Sequence, residues 1–406
     1  MLFGYRRFTL LFSGSIASTF GVTISTVVIA WYVFYQTHNP IDIAYLGIAG
    51  FAPTVLFGLL GGAFADRGNR RHTMILCDLA RAIAISAIPV SILFFGFNLW
   101  VILASVFLVD LFSSVFRPAS SAFLPQILPE SQLEQANGIS FSGITLVQIL
   151  ANAVGAALLV AFGTPLALFI NSATYLISAL FLYLISPVSG HTNSDQKETS
   201  LRGQLKEGLR YVSGDTGLLQ LVLTSTIINF FATMLLSFLV VFSSLSFSGS
   251  ALAYGALLTM LGAGYALGGV IAGRLHPTPI AGKVIIACDI IMGASLVPLA
   301  LFPNIVLSSL ILLIVGTVSG VVYTTFLSTV QIRVPNDLIG RVLSIDEVGS
   351  FAVVPVSQIF TGLFILRFGV YSSILLASAG ILIVGLVEPM LPKLREFKAP
   401  LETTTS

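Results

Sequence analysis

Charge is what this sequence has least of. Only 9% of its 406 residues are Asp, Glu, Lys or Arg, whereas soluble domains run near a quarter charged, and that scarcity excludes a water-soluble globular chain. Cysteine is almost missing as well. The two present, Cys77 and Cys288, fall just inside the ends of apolar runs and imply neither a disulfide nor a metal site. Histidine is confined to loops, at His38, His72, His191 and His276. With no His, HExxH or GxSxG in any apolar run, metal or nucleophilic chemistry within a membrane has no evident site, which argues against an enzyme. A GxxxxGK[ST] phosphate loop is also absent: Val284 follows the one Gly-Lys pair, Gly282 and Lys283, so ATP is not the direct drive.

What the chain does have is apolar length. Hydrophobic residues make up 56% of it and its mean hydropathy is +0.99. A membrane helix needs about 20 mostly apolar residues to cross a hydrocarbon core of about 30 Å. Twelve runs meet that need, near 8–35, 42–64, 73–97, 99–123, 137–163, 165–186, 217–243, 251–273, 282–302, 304–330, 341–366 and 370–391. The first is too long for the apolar part of a signal peptide, lacks a small-residue cleavage site, and is expected to stay in the protein. Orientation follows the bias of Lys and Arg toward the cytoplasm. With the N-terminus inside, 16 of the 19 basic residues fall in cytoplasmic segments. Arg367 lies outside, and Arg81 and Arg117 within spans. The expectation is a multi-pass protein of the cell's cytoplasmic (inner) membrane, both termini cytoplasmic.

The chain also repeats itself. GGAFADR, Gly61 to Arg67, returns as GGVIAGR, Gly268 to Arg274, with Gly273 in place of Asp66. ILCDLARA, 75–82, is echoed by IIACDIIM, 285–292, and Pro129 of LPQILPESQL by Pro335 of QIRVPNDLIGR. Echoes at about half the chain length predict two pseudo-symmetric six-helix halves, 1–186 and 217–391. Between them lies a polar cytoplasmic linker, 187–216, in which Leu201, Leu205, Leu209 and Val212 recur at helical spacing. That pattern predicts an amphipathic helix along the inner membrane surface. A cytoplasmic tail, 392–406, ends the chain. Gly58 with Gly62, Gly264 with Gly268 and Gly269 with Gly273 offer small-residue faces for close helix contact.

Parallel six-helix halves joined by a long loop are expected of major facilitator transporters. GGAFADRGNRRH, Gly61 to His72, resembles that superfamily's signature between helices two and three, with Asn69 in place of its second glycine. FRPASSAFLPQILPESQLEQAN, Phe116 to Asn137, and VPNDLIGRVLS, Val334 to Ser344, are similar to stretches in the branch containing macrolide efflux pumps and the enterobactin exporter. The resemblance implies an all-α fold of twelve transmembrane helices. It implies a cytoplasmic gate at Gly62, Asp66, Arg67, Arg70 and Arg71, with Asp66 facing the start of helix eleven near Arg341. A topology anchor is the plainer reading of the same charges. The resemblance also implies a cavity lined by helices one, four, seven and ten. On those helices Ser18, Thr19, Asn229, Phe230, Met234 and Tyr323 suit a bulky amphiphile better than an ion or a sugar.

Ionisable residues inside spans are functional candidates by default. Asp110 stands eleven residues into its span, about 16 Å from the outer end at 1.5 Å per residue, where it could carry a proton or pair statically with Arg117 or Arg81. Asp78 and Arg81 are spaced to pair on one face. Asp289, whose matching neighbour is Met292, is the lonelier acid. Asp346 and Glu347 enter their helix side by side, and one of them is expected to face Arg341 or the Asp66 cluster. Glu388 is expected at the interface. These four groups, Asp110, Asp289, Asp346 and Glu347, are the candidates for proton coupling, although LANAVGAALL, 150–159, lacks the Gly-Pro of many antiporters in the superfamily. The resulting expectation is a monomeric secondary transporter without cofactor, metal or nucleic acid, whose partners are the lipid bilayer, a small-molecule substrate and protons. It would export a lipophilic or amphiphilic drug, macrolide or siderophore-like compound. An importer or uniporter of a metabolite and a non-transporting sensor are the alternatives.

Overall fold

The computed structural model describes residues 4–66, 69–186, 201–275 and 280–397, and among them every regular element is a helix. In chain order these are α1 (Arg6–Thr37), α2 (Pro40–Asp66), α3 (Arg70–Phe95), α4 (Leu99–Ile127), then a 55-residue stretch, Glu130–Leu184, that is helical except at Gly163. We number its two parts α5 (130–162) and α6 (164–184). There follow α7 (Leu201–Gly214), α8 (Thr216–Ser237), α9 (Leu239–Ser246), α10 (Ala251–Leu275), α11 (Ala281–Leu301), α12 (Ile305–Arg333), α13 (Asn336–Phe368), α14 (Val370–Val387), a 3-10 turn at Glu388–Met390, and α15 (Pro392–Arg395). Ten of the helical stretches are long and apolar enough to cross a membrane. With Glu130–Leu184 taken as two and the 27 residues of α2 added, the twelve expected spans are accounted for. Expected span ends agree with the helices to within a few residues; the largest differences are at the starts of α5 and α13, which begin at Glu130 and Asn336.

The internal repeat is visible in how helices begin and turn. Asn98 caps α4 by accepting hydrogen bonds from Trp100 N and Val101 N, and Asn304 caps α12 through Val306 N and Leu307 N. These caps satisfy backbone donors that a helix start leaves unpaired. Pro129 and Pro335, the echo seen in the sequence, take the same extended conformation just before α5 and α13. A further pair was not read from the sequence. Gly163 (φ 77°, ψ 171°) turns α5 into α6, and Gly369 (φ 83°, ψ 166°) turns α13 into α14. This region is essentially closed to residues with a Cβ, so each half makes its last hairpin on one glycine.

The chain forms two compact units, 1–193 with 243–259 and 194–242 with 260–406. In the first, α1 lies against α5 and α6. Its Gly14 and Gly21 meet Ser178 and Thr174, Ile24 meets Gly155, and Asn171 Nδ2 donates to Ser25 Oγ at 2.5 Å. In the second, α10 and α12 touch backbone to backbone. A Cβ at Gly264 or Gly268 would be forced into the carbonyl of Leu313 or Thr317, and one at Gly316 or Gly320 into that of Leu261 or Tyr265. Small residues permit this approach, and van der Waals packing is what holds helices together where lipid is as apolar as leucine. Of the predicted small-residue faces in α10, Gly264 with Gly268 is the one used; a Cβ at Gly273 would meet nothing. The Gly58–Gly62 side of α2 lies outside the described side chains.

The linker helix is not simply a surface float. Val212 of α7 is buried with Leu218, Val342, Leu394 and Phe397 in one apolar cluster, and Gly208 packs on Arg341 at the start of α13. The segment after α14 closes the same end: Leu394 N donates to Gln220 Oε1 at 3.1 Å, and Gly282 N donates to Phe397 O at 2.9 Å. Beside it Asp215 caps α8 through Gly217 N and Leu218 N and takes a 2.7 Å ion pair from Arg333. Partial burial raises the Asp215 carboxyl, but the Arg333 hydrogen bond and those backbone donors outweigh it and hold the group below its ordinary value.

Two outcomes are expected from thermal unfolding of the detergent-solubilised protein. Gly163→Ala and Gly369→Ala should each lose roughly 1–3 kcal/mol, the cost of a forbidden backbone region, whereas Gly138→Ala, in open helical space, should gain up to about 1 kcal/mol. A depressed folded-state carboxyl stabilises above the unfolded value of about 4 and loses that contribution as pH falls through the folded value. Asp215→Asn, which still caps, should therefore cost about 0.2–1 kcal/mol at neutral pH and flatten that acid-side loss.

Candidate functional site

The site is built from the charges that the fold takes out of water. In the first unit Asp78, 0% exposed, and Arg81, 4% exposed, form an ion pair one helical turn apart on α3. The Arg81 guanidinium lies between the rings of Phe116 of α4 (4.1 Å) and Tyr175 of α6 (4.7 Å). Two aromatic faces stabilise a desolvated cation, so Arg81 is fixed in place. Asp110 of α4 is half-buried and faces Gly50 of α2. It feels Arg81 and Arg117 but stands outside the ion pair, and Arg117 itself is exposed.

The basic residues after α2 do local work. Arg71 is buried and donates from Nε to Leu182 O (2.8 Å) and from Nη2 to Tyr183 O (2.5 Å), capping the last carbonyls of α6 with a positive charge where a helix end is negative. Arg70 Nη1 donates to Ala122 O of α4 at 2.6 Å. Together they tie α3 to α4 and α6. Of the other expected gate residues, Arg67, the surroundings of Gly62 and the Asp66 side chain lie outside what the structure describes, and Arg341 is half-buried near the start of α13.

In the second unit a cavity of about 260 Å³ opens between α8, α11, α12 and α13. Polar groups reach it as Asn229, Asp289, Ser319, Tyr323 and Asp346, against apolar walls such as Met292. Asn229 is held by its Nδ2 bond to Ser350 O (3.0 Å), and Asp346 accepts from Ser225 Oγ (2.9 Å). Of the adjacent acids on α13 it is Asp346 that turns inward, toward α8 and not toward Arg341; Glu347 is exposed. Among the described residues, the cavity lining holds no Lys, Arg or His.

The other expected cavity residues are placed differently. Ser18 is buried on the Gly14–Gly21–Ser25 face of α1 that packs on α6, with Thr19 half-buried beside it. Met234 is buried, and Phe230 stacks at an edge on Phe231 (5.3 Å) and against Phe360 (5.8 Å).

One site residue escaped the sequence reading. Glu388, expected at the interface, is 0% exposed, and its carboxyl lies within hydrogen-bonding reach of Asp289 and Thr224. Asp289 is therefore not the lonely acid: it has a second carboxyl for a neighbour. Two signals were available. Glu388 interrupts an apolar run whose nearest charges are Arg367 and Lys393, and it stands 210 residues after Ser178, nearly the 211 that separate Asp78 from Asp289. Ser178 is the hydroxyl beside Asp78 in the first unit.

Comparison with known proteins agrees with this architecture. Residues 3–405 match the family described as transmembrane secretion effector. The uncharacterized MFS-type transporter YfiS of Bacillus subtilis is 27% identical over 98% of this chain and 96% of its own. Macrolide efflux protein A of Streptococcus pyogenes is 24% identical over 96% and 97%, and the multidrug efflux pump Tap of Mycolicibacterium fortuitum 26% over 93% of each. Among solved structures, a nucleoside transporter, NupG, superposes with a TM-score of 0.80 at 11% identity, covering 95% of this chain and 99% of that one. With twelve spans in repeated halves and a family match along its whole length, the chain is a membrane transporter, not an enzyme, and belongs to the transmembrane secretion effectors of the major facilitator superfamily.

Proposed function

We propose that this transporter exports amphiphilic cations across the cytoplasmic membrane in exchange for protons, by alternating access of the halves 1–186 and 217–391 about the linker 187–216, with both termini and the tail 392–406 in the cytoplasm. The observation that carries the substrate class is the second-unit cavity: two acids, Asp289 and Asp346, on mostly apolar walls with no basic side chain among the described residues. A carboxylate in a place of low dielectric attracts a cation far more strongly than in water, and apolar walls reward the lipophilic remainder. At about 260 Å³ the cavity suits one charged end of a drug-sized compound, since whole sites for such ligands run about 300–1,000 Å³. The same acids disfavour an anionic siderophore. Export as the direction draws support from relatives named as macrolide and multidrug efflux pumps.

Asp110 is the first-unit acid assigned to the proton. It is half-buried, and of the two cations that act on it Arg117 is exposed and Arg81 is committed to Asp78. Asp66, Arg67 and Arg341 are assigned to the cytoplasmic gate on the family resemblance, while Arg70 and Arg71 tie α3 to α4 and α6.

Cells loaded with ethidium should expel it, and a protonophore should stop them. Failure to expel any of a panel of lipophilic cations would favour a sensor that keeps the fold. Asp110→Asn should abolish pH-driven ethidium transport in proteoliposomes, by tenfold or more if about 1.4 kcal/mol of coupling is lost, while downhill exchange continues. PH-driven transport that survives would make Asp110 structural. Asp66→Asn should fold normally and slow transport about two- to fivefold, since an acid at a helix N-terminus contributes about 0.3–1 kcal/mol.

A further inference from the structure

Asp289 and Glu388 form an arrangement that two ionised groups cannot satisfy. Asp289 is 3% exposed and Glu388 0%. Asp289 lies eight residues into α11, about 12 Å from its start, and Glu388 reaches it from the turn that follows α14. The two helices are in close contact there: a Cβ on Gly385 would touch Ile290 N at 3.1 Å. Neither oxygen of Glu388 receives a hydrogen bond. The nearby Thr224 hydroxyl sends its hydrogen to Leu221 O at 3.2 Å. Among the described residues, the charge acting on Asp289 is that of Glu388. The elements around the pair contribute Ser225 on α8, Cys288 on α11, Tyr323 on α12, Asp346 and Glu347 on α13, and Lys393 and Arg395 on α15, whose side chains are exposed. Lys283, six residues before Asp289, is exposed.

Two adjacent buried carboxylates repel each other, and the Glu388 oxygens are left without a donor. One proton removes both faults. It makes one carboxyl a donor to the other, as in paired carboxyl sites that hold a single proton between them.

We infer that Asp289 and Glu388 share one proton, and that a cation entering the second-unit cavity expels it. Asp289 is the member that lines the cavity, so the incoming charge meets the pair directly. The exchange balances. Before it, two carboxyls and one proton carry −1. After it, the O–H bond has broken, the proton has passed to cavity water, and two carboxylates with one cationic group again carry −1. The buried site keeps the same net charge throughout, so the exchange itself buries no additional charge. Proton release then requires no conformational signal from Asp110. The inference rests on the cation-exporter reading for its ligand class, and the pair's proton can be measured apart from transport.

Infrared spectra of the purified full-length protein in nanodiscs test it, with tetraphenylphosphonium as probe because this permanent cation brings no proton of its own. At neutral pH a protonated-carboxyl band should be present in the wild type and in Asp110→Asn, and missing in Glu388→Gln and Asp289→Asn. A glutamine at 388 can donate to Asp289 at every pH, so that variant should remain folded. Saturating tetraphenylphosphonium should bleach the wild-type band and release about one proton per protein to a pH dye, with no release from either pair variant. A band that persists in both pair variants, or that is absent from the wild type because a metal ion holds the pair ionised, overturns the shared proton. Release that persists in both overturns the exchange. If pair variants lose release while wild-type proteoliposomes move no ethidium against a pH gradient, the pair stands and the exporter reading falls. If efflux is normal and release is unchanged in the variants, the reading stands and the pair falls.

Discussion

A charge in hydrocarbon has to be cancelled close by, and the arrangement of both units follows from that constraint. Moving an ion from water to a medium of low dielectric costs several kcal/mol even after relaxation, so a buried acid needs a fixed cation, a proton or a ligand. The first unit uses a fixed cation: Arg81 pairs with Asp78 and is itself clamped between Phe116 and Tyr175. In the second unit the matching positions are Asp289 and Met292, and no arginine is available. The acid there meets Glu388 and an open cavity. The same repeat thus carries a permanently neutralised acid in one copy and an exchangeable one in the other. Transport needs the second kind, and a rigid counterpart needs the first.

Much of this was legible in the amino-acid sequence, and what was not has a physical cause. Span number and position follow from apolar length, which is a one-dimensional property. The breaks at Gly163 and Gly369 fall where expected spans end, but the left-handed glycine that makes each turn was passed over, since φ and ψ cannot be read from one letter. Asp78 with Arg81 was recoverable because i, i+3 partners are neighbours on any helix. Asp289 with Glu388 was not, because their proximity is created by the packing of α11 on the end of α14, 99 residues apart in sequence. Ser18 failed for the same reason: hydroxyls on a span look alike until the face that packs is known.

The basic signature after α2 shows how a motif can serve two ends. Arg70 and Arg71 sit in it, yet their side chains satisfy carbonyls of α4 and α6. Such contacts fix three helix ends relative to one another before any gate can be built on them. Their charge would be required even in a protein that transported nothing. Asp66, by contrast, is not kept in the repeat, where Gly273 stands at the matching position.

The strap formed by Leu394 and Phe397 has a consequence for biosynthesis. It contributes backbone hydrogen bonds to Gln220 and Gly282 and apolar surface to the cluster around Leu218 and Val342. These residues are translated after every span. The second unit therefore completes this end only when the ribosome has passed residue 397, and until then Gly282 N and the Gln220 amide oxygen wait for partners that do not yet exist. A nascent chain halted after α14 would hold all its spans and still present that unfinished end to the quality-control machinery of the cell.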